Sequence, residues 1–448
     1  MLFRSYAAVN RIRLDDQRPY IYRTHDGGKS WKEIVNGLGD SGPINVVRED
    51  PVRRGLLFCG SERAVYVSFN DGDTWQPLRL NMPASSIRDL VVKDDDLVVG
   101  THGRSFWILD DITPLRQITD QMSASEAFLF KPQTTYRVRW NMNTDTPLPP
   151  EEPAGQNPPD GACINYYLKA RAAGPVVLEI TDTWSKMVAR FSSADKPDDI
   201  EAIGKEVNIP SYWIRPSQVL STEPGMHRFV WNLHYPAPEG QRPEYPIAAI
   251  YGDTERHPLG PWVLPGEYIV KLTVGGRSDT QSLTVKMDPR VKTPPEGLSQ
   301  QHEIAMQSYQ GMKMAREAIE QIRKLRAQLR TLHDRAGQGP VSDAITALER
   351  KAAALEGAGG GFRGGGGGGQ NASTEPSLSR VSGELLGLMN LVEEADMAPT
   401  SQARAASGQA QQSLAGVLQR WRELKEKDVV TLNDQLRRAN LQPVDTGK

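Results

Sequence analysis

One eight-residue phrase occurs twice in this chain. Residues 24–31 read THDGGKSW and residues 68–75 read SFNDGDTW. The phrases begin 44 residues apart, and their tryptophans, Trp31 and Trp75, keep the same interval. A fixed interval limits the fold more than any single residue does, because it sets the size of one structural unit. Four short apolar runs fill the interval and its end: INVVRED, LLFCGS, AVYVSF and TWQPL. IRDLVVK, DLVVGT and SFWILDD follow, and YAAVNRIR and YIYRT precede. Gly, Asp and Asn punctuate these runs, as they do strands.

Four strands in 44 residues is the size of one β-propeller blade. The phrases then fall at the turn between a blade's third and fourth strands. The turn chemistry fits. The first phrase supplies Thr24, Asp26, Gly28, Ser30 and Trp31; the second supplies Ser68, Asn70, Asp71, Gly72, Thr74 and Trp75. An Asp carboxylate accepts backbone N–H groups within a tight loop. Gly28 and Gly72 permit positive φ. Tryptophan opens the next strand and places an aromatic plate between blades. Asp26 and Asp71 are therefore read as ties within turns, on the face away from any ligand. An EF-hand reading fails for want of further oxygen ligands and a terminal Glu. The runs amount to about two and a half blades, whereas a closed ring takes four to eight. The remaining blades are expected from upstream sequence or from another chain.

Residues 1–118 hold these blades. Residues 119–161 read as a connecting segment, with a Pro-rich linker or long loop at 141–161. Strands return over 162–292: INYYLKA, PVVLEIT, MVARFSS, HRFVWNLHY, GEYIVKLTV and TQSLTVKM. From 293 to 448 the pattern is helical. Ala315, Ile319, Ile322, Leu325, Leu329 and Leu332 form one stripe at helical spacing, expected to pack on another helix of the chain. Helical pattern resumes at 378–395 and 402–439, where Leu414, Leu418, Trp421 and Leu424 share a face. The glycine run at 357–370 reads as a flexible loop within this bundle.

Composition excludes several classes. Lys and Arg number 53 against 55 Asp and Glu, so no basic excess marks a nucleic-acid partner. No apolar run reaches the length of a membrane span. The start, MLFRSYAAVNRIRL, has no signal-peptide core. Cys59 and Cys163 alone make neither a disulfide framework nor a metal-ligand spacing, and both read as buried apolar residues. Nothing calls for a metal or other cofactor. H-E-x-x-H, G-x-S-x-G and Walker motifs are absent from the sequence.

The repeated phrase resembles the Asp-box, or BNR repeat, of sialidases, xyloglucanase-type glycoside hydrolases and sortilin-type receptors. The second copy departs from it by carrying Asn70 at the usual Asp position. VVGTHGRSFWILDDITPLRQ resembles the last blade of large bacterial sortilin-like or BNR-repeat glycosyl hydrolases. NPPDGACINYYLKA, MHRFVWNLHYP and PGEYIVKLTVGGRSDTQSLTVKMDPRV look like the Ig-like β-sandwich that follows the propeller there, similar to the module of flagellar hook-capping proteins. The resemblance implies a mainly β first two-thirds, with partial propeller blades and an Ig-like sandwich, then an α-helical tail. It also implies the C-terminal part of a larger exported protein, periplasmic or extracellular.

In propellers ligands meet the face opposite the third-to-fourth turns. That face would receive Arg13, Asp15, Asp16 and Arg18, then Glu62 and Arg63, then His102 and Arg104. Carboxylates beside arginines can bind sugar hydroxyls or peptide termini. The expected function is non-catalytic binding of peptide or glycan. A glycoside hydrolase is the alternative. It needs two opposed carboxylates, for which Asp15, Asp16 and Glu62 are on hand and others would lie upstream. A piece that serves structure or assembly through its helical tail is the second alternative. Among the aromatic residues of 162–292, Trp231 and Tyr268 read as core. Trp213 and Trp262, in Pro-rich loops, read as surface candidates.

Overall fold

The structure is a computed structural model that describes residues 4–139, 155, 157–247, 250–357 and 375–445. The glycine run beyond Gly357 and most of the Pro-rich stretch at 141–161 lie outside the described residues.

Three antiparallel sheets come first. The first has the order β1 (Ser5–Ala8), β2 (Ile21–Thr24), β3 (Lys32–Glu33). The second has β4 (Ile44–Glu49), β5 (Leu57–Ser61), β6 (Val65–Ser68) and β7 (Gln76–Pro77) in sequence order. The third has β8 (Ile87–Lys93), β9 (Asp96–Thr101) and β10 (Phe106–Leu109). NRIR does not extend the first strand; Ile12–Leu14 is a 3-10 turn instead. Sheet two is covered on both faces, which is why β5 reads as a continuous apolar run rather than an alternating one. Ile44, Val47, Leu57 and Cys59 pack toward sheet one. Val46, Phe58, Val65 and Val67 pack toward sheet three, against Ile87, Leu90, Leu97 and Val99. The sheets approach so closely at Gly60 that a Cβ there would lie 2.5 Å from Ile87 Cγ2. Both cysteines are buried, and burial pushes the Cys163 thiol up to about 11 and Cys59 higher still.

The two boxes close by the same bonds. Thr24 Oγ1 accepts from Gly28 N (2.9 Å) and Asp26 Oδ1 accepts from Ser30 N (2.9 Å). Ser68 Oγ accepts from Gly72 N (2.9 Å) and Asn70 Oδ1 accepts from Thr74 N (2.9 Å). Asn70 thus replaces Asp26 in the turn. This corrects the expectation for Asp71, which does not tie its own loop. Its backbone turns through φ 62°, and its carboxylate crosses to sheet one. There it meets Arg4 Nη1 (3.3 Å), Arg23 Nη1 (3.1 Å), His25 Nε2 (2.9 Å) and the Tyr6 hydroxyl.

Short helices α1 (Thr113–Gln117) and α2 (Asp120–Ala124) lead to two sheets that share a core. Sheet four has the order β11 (Ala127–Leu129), β13 (Ala162–Leu168), β16 (Gly225–Trp231). Sheet five has β12 (Thr135–Arg137), β18 (Arg277–Met287), β17 (Gly266–Val274), β14 (Val176–Asp182), β15 (Met187–Ser192). The segment read as a connection therefore contributes strands to both sheets, β12 in parallel with β18. Tyr166, Phe229 and Trp231 of sheet four meet Leu178, Ile180, Tyr268, Val270 and Leu283 of sheet five. A short helix, α3 (Ile200–Gly204), lies in the long loop between β15 and β16.

The last region is helical: α4 (Pro295–Ala336), α5 (Pro340–Glu356), α6 (Leu378–Glu393), α7 (Ser401–Glu423) and α8 (Val430–Arg438), the last two joined through a π turn. The 42-residue α4 is about 63 Å long and is the spine of the bundle. Its stripe is buried against α5, α6 and α7, with Ile319 at the margin. No helix among the described residues is long and apolar enough to cross a membrane.

The shared core of sheets four and five is joined to the helices through Trp262, and this corrects its surface assignment. Trp262 is half-buried, with the Arg137 and Arg139 guanidinium groups over its ring. Its N–H donates to Glu393 Oε2 (3.0 Å) and its carbonyl accepts from His302 Nδ1 (2.9 Å). Arg137 pairs with Asp396 at 2.5 Å. Burial raises Glu393 to about 7 and lowers His234 to about 3 and His302 to about 4. Trp213 is also half-buried, whereas its neighbour Tyr212 is exposed.

Candidate functional site

Strands β1, β4 and β8 stand side by side along one border of the first three sheets. Short polar side chains bridge them. Asn10 Nδ2 donates to Asn45 Oδ1 (2.6 Å). Asn45 Nδ2 donates to Glu62 Oε1 (2.9 Å) and to the Ile87 carbonyl (2.9 Å). Arg88 Nη1 donates to the same Glu62 oxygen (3.1 Å). One connected line of polar groups therefore runs from sheet one to sheet three, with Glu62 in its middle. Burial alone would raise the Glu62 carboxyl. The Ser86 hydroxyl, the bond from Asn45 and the charges of Arg88 and His102 outweigh it and hold Glu62 below the ordinary carboxylate value.

Next to this line sits a second group. The Asn10 side chain accepts from Ile12 N (2.9 Å), which fixes the start of the turn that carries Arg11, Arg13 and Asp15. Asp16 accepts a fork from Arg18, Nε and Nη2 both at 3.0 Å, and a bond from the Tyr20 hydroxyl at 2.8 Å. Arg11 adds an ion pair at 3.2 Å. The Arg18 and Tyr20 bonds hold Asp16 well below the usual carboxylate range. Arg11 and Arg18 both lie over the Tyr20 ring.

Of the residues expected on this face, Asp16 with Arg18, and Glu62 with His102, are thus brought together in two neighbouring groups. Arg13 and Asp15 are exposed on the 3-10 turn, and Arg63 and Arg104 are exposed on their own loops. None of these four forms a salt bridge among the described residues. The pattern missed Asn10, Asn45 and Arg88, the residues that join the groups. Their signal was faint: each polar residue stands on or beside an apolar inner strand, where a polar side chain needs a partner.

The other conspicuous polar cluster is the joint around Asp71. Arg4 pairs with Glu49 as well as Asp71, and Arg23 reaches Asp73 (3.1 Å). Burial, then the bond to Asp71, raises the Tyr6 phenol far above its ordinary value, and the phenol donates to the Asp71 carboxylate. Its charges are mutually matched across two sheets, which makes it a joint. In the first box both Asp26 oxygens are occupied, by Ser30 N (2.9 Å) and Ser30 Oγ (2.7 Å). Among the described residues no three His, Cys, Asp or Glu side chains converge as metal ligands would.

No family model matches the chain, and no curated protein matches it. Weak likenesses to solved structures exist. YCF48 bound to D1 peptide is 14% identical, with 34% of this chain and 41% of that one covered and a TM-score of 0.17. The extracellular domain of a one-component system of B. thetaiotaomicron is 8% identical over 60% of this chain and 28% of that one, TM-score 0.17. An ancestral GH74 enzyme is 9% identical over 59% and 35%, TM-score 0.18. This chain spans less than half the length of each. The sheet architecture above stands on the chain's own strand register.

Proposed function

We propose that this chain is the C-terminal part of an exported BNR-repeat, sortilin-like β-propeller protein. Its propeller face would bind peptide or glycan without catalysing a reaction on it. Sheets one to three are then blades, β1, β4 and β8 line their inner border, and the shared core of sheets four and five is the Ig-like sandwich. The observation that carries the reading is the hydrogen bonding of the two carboxylates. Asp16 accepts from Arg18 and Tyr20, and Glu62 accepts from Asn45 and Arg88, which favours an ionised acceptor for a ligand's donors. A glycosidase acid needs the opposite, a carboxyl raised toward neutrality. The hydrolase alternative would have to draw that acid from residues outside this set.

The test is binding of the chain to immobilised glycans and peptides. Glu62→Gln and Arg88→Ala should weaken binding with little change in melting temperature. Turnover of a polysaccharide that a single carboxylate substitution abolishes would replace this reading with the hydrolase.

The proposal extends to a partner. Among the described residues sheet three has three strands where sheet two has four, and β10 pairs only with β9. Phe106 and Ile108 on β10 are 79% and 57% exposed. An apolar sheet face of this kind calls for a cover, and further blades, from upstream sequence or another chain, would supply it. Phe106→Lys with Ile108→Lys should reduce self-association of the chain in light scattering. An unchanged monomeric mass before and after would argue against a cover there.

A further inference from the structure

Two of the most exposed aromatic rings in the molecule belong to one small structure. Tyr251 is 81% exposed and Tyr212 57%. Tyr212 sits on the 3-10 turn Ser211–Trp213, and Tyr251 lies on the loop that runs alongside. Backbone bonds lace the two segments: Gly252 N to Tyr212 O (2.9 Å), Thr254 N to Trp213 O (2.8 Å) and Arg215 N to Thr254 O (2.9 Å). The rings are consequently 6.4 Å apart and 30° from parallel. Trp213 stands edge-on behind Tyr212 at 6.2 Å and fixes its position. Neither tyrosine hydroxyl has a hydrogen-bond partner among the described residues. The same lacing places charged groups on the two segments. Arg215 Nε donates to Asp253 (2.8 Å) and its Nη1 to Glu255 (2.9 Å).

The fold gains nothing from two tyrosines held in solvent. A rigid aromatic pair beside fixed polar groups is what recognition of a ring with one apolar face and a hydroxyl edge requires. We propose that Tyr212 and Tyr251 form a stacking platform for the sugar rings of a neutral glycan, whose hydroxyls meet Arg215, Asp253 and Glu255. The charges disfavour an anionic ligand, because the two carboxylates outnumber the single guanidinium. The size favours a glycan over a protein. Two tyrosines offer at most about 500 Å² together, below the roughly 800 Å² per partner of a stable protein interface. The site is separate from the propeller face and independent of how that face functions.

Affinity electrophoresis of the full chain through gels containing xyloglucan, mixed-linkage β-glucan or galactomannan tests it. At least one polysaccharide should retard the chain. Tyr251→Ala should weaken that retardation about tenfold, the effect of losing one stacked ring, and Tyr212→Ala with Tyr251→Ala should abolish it. Tyr251→Phe should retain it, because the ring remains. Trp184→Ala, at an exposed tryptophan on the turn between β14 and β15, should leave it unchanged, and all variants should melt with the parent. Passage through all three gels without retardation would overturn the proposal. So would retardation that survives the double substitution, or that Tyr251→Phe removes as fully as Tyr251→Ala.

Discussion

The two boxes are alike as loops and unlike as parts of the molecule. In both, a hydroxyl and an Asx side chain tie the turn with the same backbone bonds. Yet Trp75 is 3% exposed, donates its Nε1–H to the Ile34 carbonyl (2.8 Å) and is wedged against sheet one. Trp31 at the equivalent position is 46% exposed. Asp71 spans the joint between sheets, whereas Gly27, its counterpart in the first box, has no side chain with which to do so. The local motif makes a turn. Whether it also makes an interface depends on what stands beside it.

That contrast can be broken most directly at the tryptophans. Trp75→Ala should cost about 3–5 kcal/mol, as loss of a buried Trp does. Trp31→Ala should cost less than about 1 kcal/mol. Equal losses in urea denaturation would mean that the first box is buried as the second is.

The aspartates give the next largest difference. Asp71→Ala leaves Arg4, Arg23 and the Tyr6 hydroxyl short of an acceptor and should cost roughly 1–3 kcal/mol. Asp26→Ala should lower the melting temperature by less, because it loosens only its own exposed turn. A larger drop for Asp26→Ala would reverse the assignment of tie and joint.

Acid sharpens the comparison further. Bonds from Ser30 and then Thr24 hold the Asp26 carboxyl well below its ordinary value. A lowered native pKa adds stability above the unfolded-state value and loses it as pH falls through the native value. Asn70 does not titrate. Asp26→Asn should therefore flatten the part of the acid-melting profile that comes from the first turn. A melting-temperature gap to the parent that is the same at every pH would count against this. The smallest effect is expected for Asn70→Asp, under about 0.5 kcal/mol at neutral pH, since the first box shows that an aspartate closes the same loop. A loss comparable to that of Asp71→Ala would show that the two boxes are not interchangeable.

Much of the fold was legible. Strands stood out because each is a short apolar run between turn residues, from INVVRED through TQSLTVKM. The α4 stripe stood out because its period matches the helix. The strands within 119–161 were not legible: AFL and TYR are three residues each, and only edge pairing with β13 and β18 makes them strands. Trp262 misled because its Pro-rich surroundings suggest an exposed loop, while the cover comes from α4 and α6, remote in sequence. At the candidate face, Asp16 and Arg18 were visible as neighbours two residues apart. The Asn10–Asn45–Glu62–Arg88 line was not, because its members come from three sheets.

SFNDGDTW by itself determined a closed turn, because every bond that closes it lies within eight residues. The sequence likewise determined the strand period and the helical stripe, which are local repeats of apolar side chains. Only tertiary structure decided that Asn70 ties the turn while Asp71 crosses to Arg4 and Arg23, and that Trp75 is core while Trp31 is surface. Those outcomes depend on which charged or apolar surface the folded chain brings within reach, and no interval of eight or 44 residues encodes that.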